Sequence, residues 1–179
     1  MILKIRHWLG LVVLGCLICP GSAWGQTHTF SVFLDGLQEV PPNASPGFGF
    51  ADGTYDTGTN LLTWTITYSG LLAPANAAHF HIAPVGVNGP VVIDIPSNSG
   101  GNILSPIVGS ATVLAADEAS LLAGDWYINI HTSVFPGGEI RGQVELTAVP
   151  EPATLALVGA GTLGLVAFVQ RKRRSRRRR

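Results

Sequence analysis

Leu61-Leu62-Thr63-Trp64-Thr65-Ile66-Thr67-Tyr68-Ser69 decides the fold class of this 179-residue chain. Successive side chains of an extended strand point to opposite faces, so Leu62, Trp64, Ile66 and Tyr68 line one face and Thr63, Thr65 and Thr67 the other. Outward from this stretch, turn sequences recur at short intervals. They include Asp35-Gly36, Pro41-Pro42-Asn43, Asp52-Gly53, Thr57-Gly58-Thr59-Asn60, Asn88-Gly89-Pro90, Ser99-Gly100-Gly101-Asn102 and Pro136-Gly137-Gly138. The β-branched and aromatic runs between them predict strands near 28–34, 48–56, 61–69, 77–83, 90–95, 107–114, 125–131 and 139–147. Residues 117–123 read as a single helical turn capped by Asp117. Eight short strands without a long helix predict an all-β domain, an antiparallel Greek-key sandwich or barrel.

The same alternation separates an expected core from an expected solvent face. Trp126, Ile128 and Ile130 oppose Tyr127, Asn129 and His131, and Phe80 and Ile82 oppose His79 and His81. In the last strand Ile140, Val144 and Leu146 are expected inside, with Glu139, Arg141, Gln143 and Glu145 outside. Glu139 and Arg141, two apart on one face, are expected to be neighbours able to pair.

The formal net charge of zero conceals an asymmetry. Between residues 26 and 149, ten acids face one base, Arg141, which leaves −9. A segment this acidic is a poor nucleic-acid binder. Both cysteines, Cys16 and Cys19, lie in the first apolar run, which excludes a disulfide framework and a thiolate metal site downstream.

The remaining bases mark the two ends. Lys4 and Arg6 precede an apolar run from Trp8 to Ile18, Pro20 breaks it, and Ala23-Trp24-Gly25 places small residues at Ala23 and Gly25. This order predicts a secretory signal over residues 1–25, cleaved after Gly25. At the other end, Thr154 to Val169 carries no charge and Arg171, Lys172, Arg173 and Arg174 follow. An apolar helix over 154–170 with a cationic flank over 171–179 predicts a membrane anchor whose basic end stays cytoplasmic and whose acidic domain lies outside. Val149-Pro150-Glu151-Pro152, the apolar segment and the arginine cluster together resemble the bacterial PEP-CTERM sorting signal. That resemblance implies processing by an exosortase-type membrane peptidase, and a mature protein at the cell surface or in an exopolysaccharide matrix. The expected organisation is a signal peptide over 1–25, a folded domain over 26–147 and a sorting tail over 148–179.

Five blocks of the folded region share a second resemblance. They are Leu34-Asp35-Gly36-Leu37-Gln38-Glu39-Val40-Pro41-Pro42, Ala77-Ala78-His79-Phe80-His81-Ile82, Asn88-Gly89-Pro90-Val91-Val92, 122–132 and 135–143. In this order, from about Phe30 to Leu146, they resemble the CHRD domain first named in chordin. The resemblance implies an immunoglobulin-like or Cu,Zn-superoxide-dismutase-like β-fold. In chordin the domain belongs to an extracellular protein that binds growth factors, so the resemblance identifies the module better than its function. The expectation here is a non-catalytic module rather than an enzyme, with an extracellular protein or polysaccharide as its candidate partner.

One constellation of residues carries chemistry. His79 and His81 are two apart on one strand, so both rings project from one face with Cβ atoms roughly 6.5–7 Å apart. His131 occupies the polar side of its own strand, and His28 is a fourth, unplaced candidate. Three neutral imidazoles suit copper or zinc, with Glu139 as an outer carboxylate to fix a tautomer. The competing reading is that these are ordinary polar residues of a solvated sheet. No nucleophile–His–Asp order, P-loop, dinucleotide fingerprint or helical zinc-protease motif accompanies them. Two expectations follow: a non-catalytic surface or matrix module, or a His79–His81–His131 metal domain with superoxide-dismutase-like chemistry.

Overall fold

The computed structural model describes residues 25–150. The predicted signal peptide up to Trp24, with Ala23, the sorting residues Glu151 and Pro152, the segment predicted as an apolar helix and Arg171, Lys172, Arg173 and Arg174 lie outside the described residues. Among the described residues no helix is long and apolar enough to cross a membrane.

Nine strands follow one another as β1 (Thr27–Asp35), β2 (Phe48–Asp56), β3 (Leu61–Ser69), β4 (Ala75–Ile82), β5 (Val91–Asp94), β6 (Ile107–Thr112), β7 (Trp126–Thr132), β8 (Ile140–Val144) and β9 (Thr147–Ala148). A five-residue helix, α1 (Glu118–Leu122), precedes β7. All pairings are antiparallel, and the strands order as β5-β4-β7-β8-β1-β2-β3-β6. The chain runs β1-β2-β3 as a meander, crosses to build β4-β5, returns to place β6 beside β3, and crosses again so that β7 enters between β4 and β8. The result is a nearly closed, barrel-like Greek-key sheet with two four-stranded halves. They are joined where Asp35 of β1 pairs with Arg141 of β8. Gly142 makes that junction passable, because a Cβ there would strike Val32 and the Phe33 carbonyl.

The core fills the space between the halves. From one side come Leu34, Leu62, Trp64 and Ile66, and from the other Phe80, Trp126, Ile128 and Ile140, all buried. Phe80 stands between the two indoles, 5.2 Å from Trp64 and 6.2 Å from Trp126 by ring centroid. Each indole N–H finds a hydroxyl at the rim of the core, Trp64 donating to Ser99 at 3.3 Å and Trp126 to Ser120 at 2.9 Å. A large apolar ring with one satisfied polar atom can therefore be buried without an orphaned donor.

The predicted strands and the inward rows of β3, β4 and β7 are present, but four details differ. The last strand is interrupted, because β8 ends at Val144 and pairing resumes only at Thr147, which with Ala148 joins β1. Leu146 is consequently half-buried rather than fully inside. Asp117 does not cap α1 with its side chain. Its carbonyl instead accepts from Leu121 N–H at 3.1 Å and from the Ser120 hydroxyl at 2.6 Å. The largest difference concerns the face expected to be solvated: every residue of β7 is buried, on both sides of the strand. Loops from three places fold over that face, and the candidate site lies under them.

Candidate functional site

Strand pairing assembles the site. β4 and β7 lie side by side with His79 opposite Asn129 and His81 opposite Tyr127, while Ala77 faces His131. On the far side of β7, Asn129 is opposite Arg141. The polar row of each strand thus forms one patch, running from the histidines through Tyr127 and Asn129 to Arg141. The segment after β1, the loop between β4 and β5, and the turn between β7 and β8 cover this patch. His81, Asn129 and Arg141 are left 8 %, 2 % and 2 % exposed. The expected outward placement of Tyr127, Asn129, Glu139 and Arg141 is therefore corrected: their parity is right, but the face is sealed.

The three histidines converge. Their ring centroids are 5.5 Å apart for His79–His81, 5.0 Å for His79–His131 and 6.0 Å for His81–His131. One ring nitrogen from each lies within 4.8 Å of the other two. His79 Nδ1 and His131 Nε2 are 3.1 Å apart.

The opposite nitrogen of each ring faces an oxygen. His81 Nδ1 donates to the Gly89 carbonyl at 2.9 Å and His131 Nδ1 to the Pro136 carbonyl at 3.0 Å. His79 Nε2 is 3.5 Å from the Asp94 carboxylate. These acceptors favour the tautomers that turn His81 Nε2 and His131 Nε2 into lone-pair donors. His81 Nε2 is buried and has no hydrogen-bond partner. Burial also holds the His81 and His131 imidazoles below the ordinary histidine pKa, although the backbone acceptors oppose this shift in part. Both rings are therefore kept neutral, the form that coordinates a metal.

Behind the histidines stands a layered support. Tyr127 stacks on His81 at 4.8 Å with an interplanar angle of 7°, and the Arg141 guanidinium lies 3.5 Å from the centroid of the Tyr127 ring. The Tyr127 hydroxyl accepts from Gly89 N–H at 3.1 Å, so it grips the residue whose carbonyl orients His81. Arg141 donates to the Val87 carbonyl at 3.0 Å and to Asn88 Oδ1 at 3.2 Å, tying the same loop down. Sequence reasoning missed this group. Its visible signals were Tyr127 and Arg141 at outward parity and the Asn88-Gly89-Pro90 turn.

Two expectations about carboxylates are corrected. Glu139 neither pairs with Arg141 nor serves the histidines. It is fully buried, and its oxygens accept from the Ser45 hydroxyl at 2.6 Å, Leu72 N–H at 2.7 Å and the Thr132 hydroxyl at 2.6 Å. It ties three separated segments together, and the carboxylate beside the histidines belongs to Asp94. The charge partner of Arg141 is Glu39, whose pKa burial raises to about 7 while Arg141 pulls it back down. Glu39 is 5 % exposed, and its Oε1 is unpartnered beside Asn129 and Gly138. His28 sits on β1 in the other half, opposite Tyr55 and Ala148, and does not join the cluster.

Among described residues of the predicted processing regions, Gly25 and Val149-Pro150 are exposed at the two ends, and Val149 N–H bonds the Thr27 carbonyl at 2.9 Å. A family model for the CHRD domain matches residues 30–144, and a model for the PEP-CTERM protein-sorting motif matches residues 148–174. No curated protein and no solved structure matches the chain.

Proposed function

The chain belongs to the CHRD domain family and carries a PEP-CTERM sorting motif, the mark of an exported exosortase substrate that is membrane-anchored before processing, and from that premise we propose that its mature domain is a non-catalytic module holding one zinc or copper ion through His79, His81 and His131. The signal peptide over 1–25, the folded domain over 26–147 and the tail over 148–179 complete this reading. Cleavage near Val149-Pro150-Glu151-Pro152 would release the domain to the surface or matrix.

One observation carries the metal assignment. Each histidine has one ring nitrogen directed at the cluster and the other directed at a fixed oxygen, Gly89 O, Pro136 O or the Asp94 carboxylate. On a sealed face any buried histidine needs one nitrogen bonded, but that need does not explain why the remaining nitrogens of all three converge within 4.8 Å of one another, as the ligands of one ion do. The buried, unpartnered His81 Nε2 supports the same reading, because a buried acceptor without a donor is costly and a cation relieves it. Ligand distances of about 2.0–2.1 Å to zinc require the three nitrogens to close to roughly 3–4 Å of one another, a small contraction from the present geometry. The superoxide-dismutase-like alternative shares the ion but needs a redox-active copper, so the same preparation tests it.

The experiment is metal analysis of the purified full chain after dialysis against zinc or copper(II). The expected result is about one ion per chain, lost in His81→Ala and in His131→Ala and kept in His28→Ala. Thermal melts with and without metal add a second readout, since a ligand at 100 times its Kd stabilises the folded state by about 2.7 kcal/mol. Equal metal content in the wild type and the His81→Ala chain would end the proposal.

A further inference from the structure

The half of the sheet that carries no histidine cluster has an outer face of a different kind. Cross-strand pairing sets side chains in rows over four strands. One row is Thr29, Thr54, Thr63 and Ser110; the next is Ser31, Asp52, Thr65 and Val108. The following row brings Phe33 of β1 and Phe50 of β2 together beside Thr67 of β3. Phe33 and Phe50 are 46 % and 50 % exposed, with ring centroids 5.1 Å apart and planes tilted by 55°. The hydroxyl rows line a shallow depression of about 1170 Å³ that ends against Glu145 and Thr147.

We infer that this open face binds a neutral polysaccharide chain, with the hydroxyl rows bonding sugar hydroxyls and the Phe33–Phe50 pair receiving the apolar face of a sugar ring. The inference is independent of the metal site, which lies on the other half. Three observations select the occupant. A serine or threonine hydroxyl both donates and accepts, as each sugar hydroxyl does, so a ladder of them suits a polymer of repeated hydroxyls. The C–H face of a pyranose is a flat apolar surface with slight positive polarity, and an aromatic ring with its negative face matches it.

Charge excludes the commonest alternative. The depression holds Asp52 and Glu145 and no cation, and the single arginine between residues 26 and 149 is Arg141, buried on the opposite half. A polyanion would meet repulsion here and no base to neutralise it. An apolar protein partner prefers a dry, continuous hydrophobic patch, whereas the first two rows carry six hydroxyls, those of Thr29, Thr54, Thr63, Ser110, Ser31 and Thr65.

The test is electrophoresis of the purified full chain through native gels containing dextran, laminarin, galactomannan or alginate, with sedimentation to report the oligomeric state. The expected result is retardation by at least one of the three neutral polymers through the Phe33–Phe50 face. Any retardation by alginate, which the basic residues of 171–179 can bind, is the same in the wild type and the double alanine chain. Apparent affinity for the neutral polymer should fall at least tenfold in Phe33→Ala/Phe50→Ala, should persist in Phe33→Tyr/Phe50→Tyr, and should be unchanged in Val85→Ser, an exposed residue of the other half. Both phenylalanines are half-exposed, so an unchanged thermal midpoint in the double alanine chain certifies that binding was lost without unfolding. The inference is overturned if no neutral polymer retards the chain, if alginate alone does, or if the double alanine chain binds as the wild type does. It is also overturned by a dimer that dissociates on the double substitution, which would assign the face to a second copy.

Discussion

The two halves of the sheet obey one rule of alternation and reach opposite outcomes. On β3, Trp64 is buried in the core and its neighbour Thr65 is exposed. On β7, Trp126 is buried in the core and its neighbour Tyr127 is buried as well, on the other side. Strand parity assigns a residue to a face; it does not say whether the face meets water. That depends on the connections. The β1-β2-β3 meander runs through short links or to the side, leaving its outer face open. Around β4, β7 and β8, the Glu39 segment, the Asn88-Gly89 loop and the Pro136 turn close over the outer face, and Arg141, Asn129 and the histidines bond them from below. The consequence is chemical. A covered face can fix ring tautomers and keep imidazoles neutral, whereas an open face can only offer exposed groups to a large partner.

The comparison breaks most easily at Tyr127. If the loops truly seal the second face, Tyr127→Ala should cost about as much as a core truncation, roughly 3–5 kcal/mol, because it empties the space between His81 and Arg141 and releases Gly89. Urea denaturation of the full chain measures this. A loss below about 1 kcal/mol would mean that the covered face is open in solution, and that the two halves differ less than described.

A second effect belongs to the covered face alone. Glu39 has its pKa raised from 4.5 to about 7, chiefly by burial. An acid whose folded pKa exceeds its unfolded value binds its proton more tightly when folded. Its contribution to stability is therefore full below the unfolded value near 4.5 and is lost as pH rises through about 7. At about 1.36 kcal/mol per pKa unit, the wild type should lose roughly 2–3 kcal/mol from this group between pH 4.5 and pH 8, and Glu39→Gln should remove that part of the slope. Denaturant midpoints of both chains across this range test it. Equal slopes would show that Glu39 is solvated and the segment over it loose.

The legible and illegible parts of the sequence divide along the same line. Leu62-Trp64-Ile66 and Trp126-Ile128-Ile130 placed the core because burial leaves a period of two in the chain itself. His79 and His81 were readable as a same-face pair for the same reason. Their approach to His131 depends on β4 and β7 being neighbours, a pairing between segments some fifty residues apart that no local pattern encodes. Glu139 and Arg141 were misread as an exposed pair because two residues apart on one face implies proximity only while both side chains stay over their own strand. Here Glu139 turns to Ser45, Leu72 and Thr132, and Arg141 turns to Tyr127 and the Asn88 loop. Buried polar side chains follow their hydrogen-bond partners, and those partners come from loops whose paths the alternation of strands does not record. Asp117 illustrates the reverse error: a residue type common at helix starts stands in the right place, yet its backbone carbonyl takes the bonds.

The smallest expected effect sharpens the comparison from the open side. Thr65 lies in the middle of β3, between Asp52 and Val108 on its two neighbours, and is exposed. Substitution by alanine removes a β-branched side chain from a strand and a hydroxyl from water, but leaves no cavity and orphans no partner. The strand preference for threonine over alanine is worth at most about 1 kcal/mol, and surface changes free of buried partners usually stay within about 0.5 kcal/mol. Thr65→Ala should therefore cost under about 1 kcal/mol by urea denaturation, against several for Tyr127→Ala at the equivalent outward position of β7. The same substitution should weaken polysaccharide retardation, because the row loses a hydroxyl that serves the partner rather than the fold. A cost above about 2 kcal/mol would instead mean that the open face is covered in the full chain, and the contrast between the halves would then have to be sought in what covers each face.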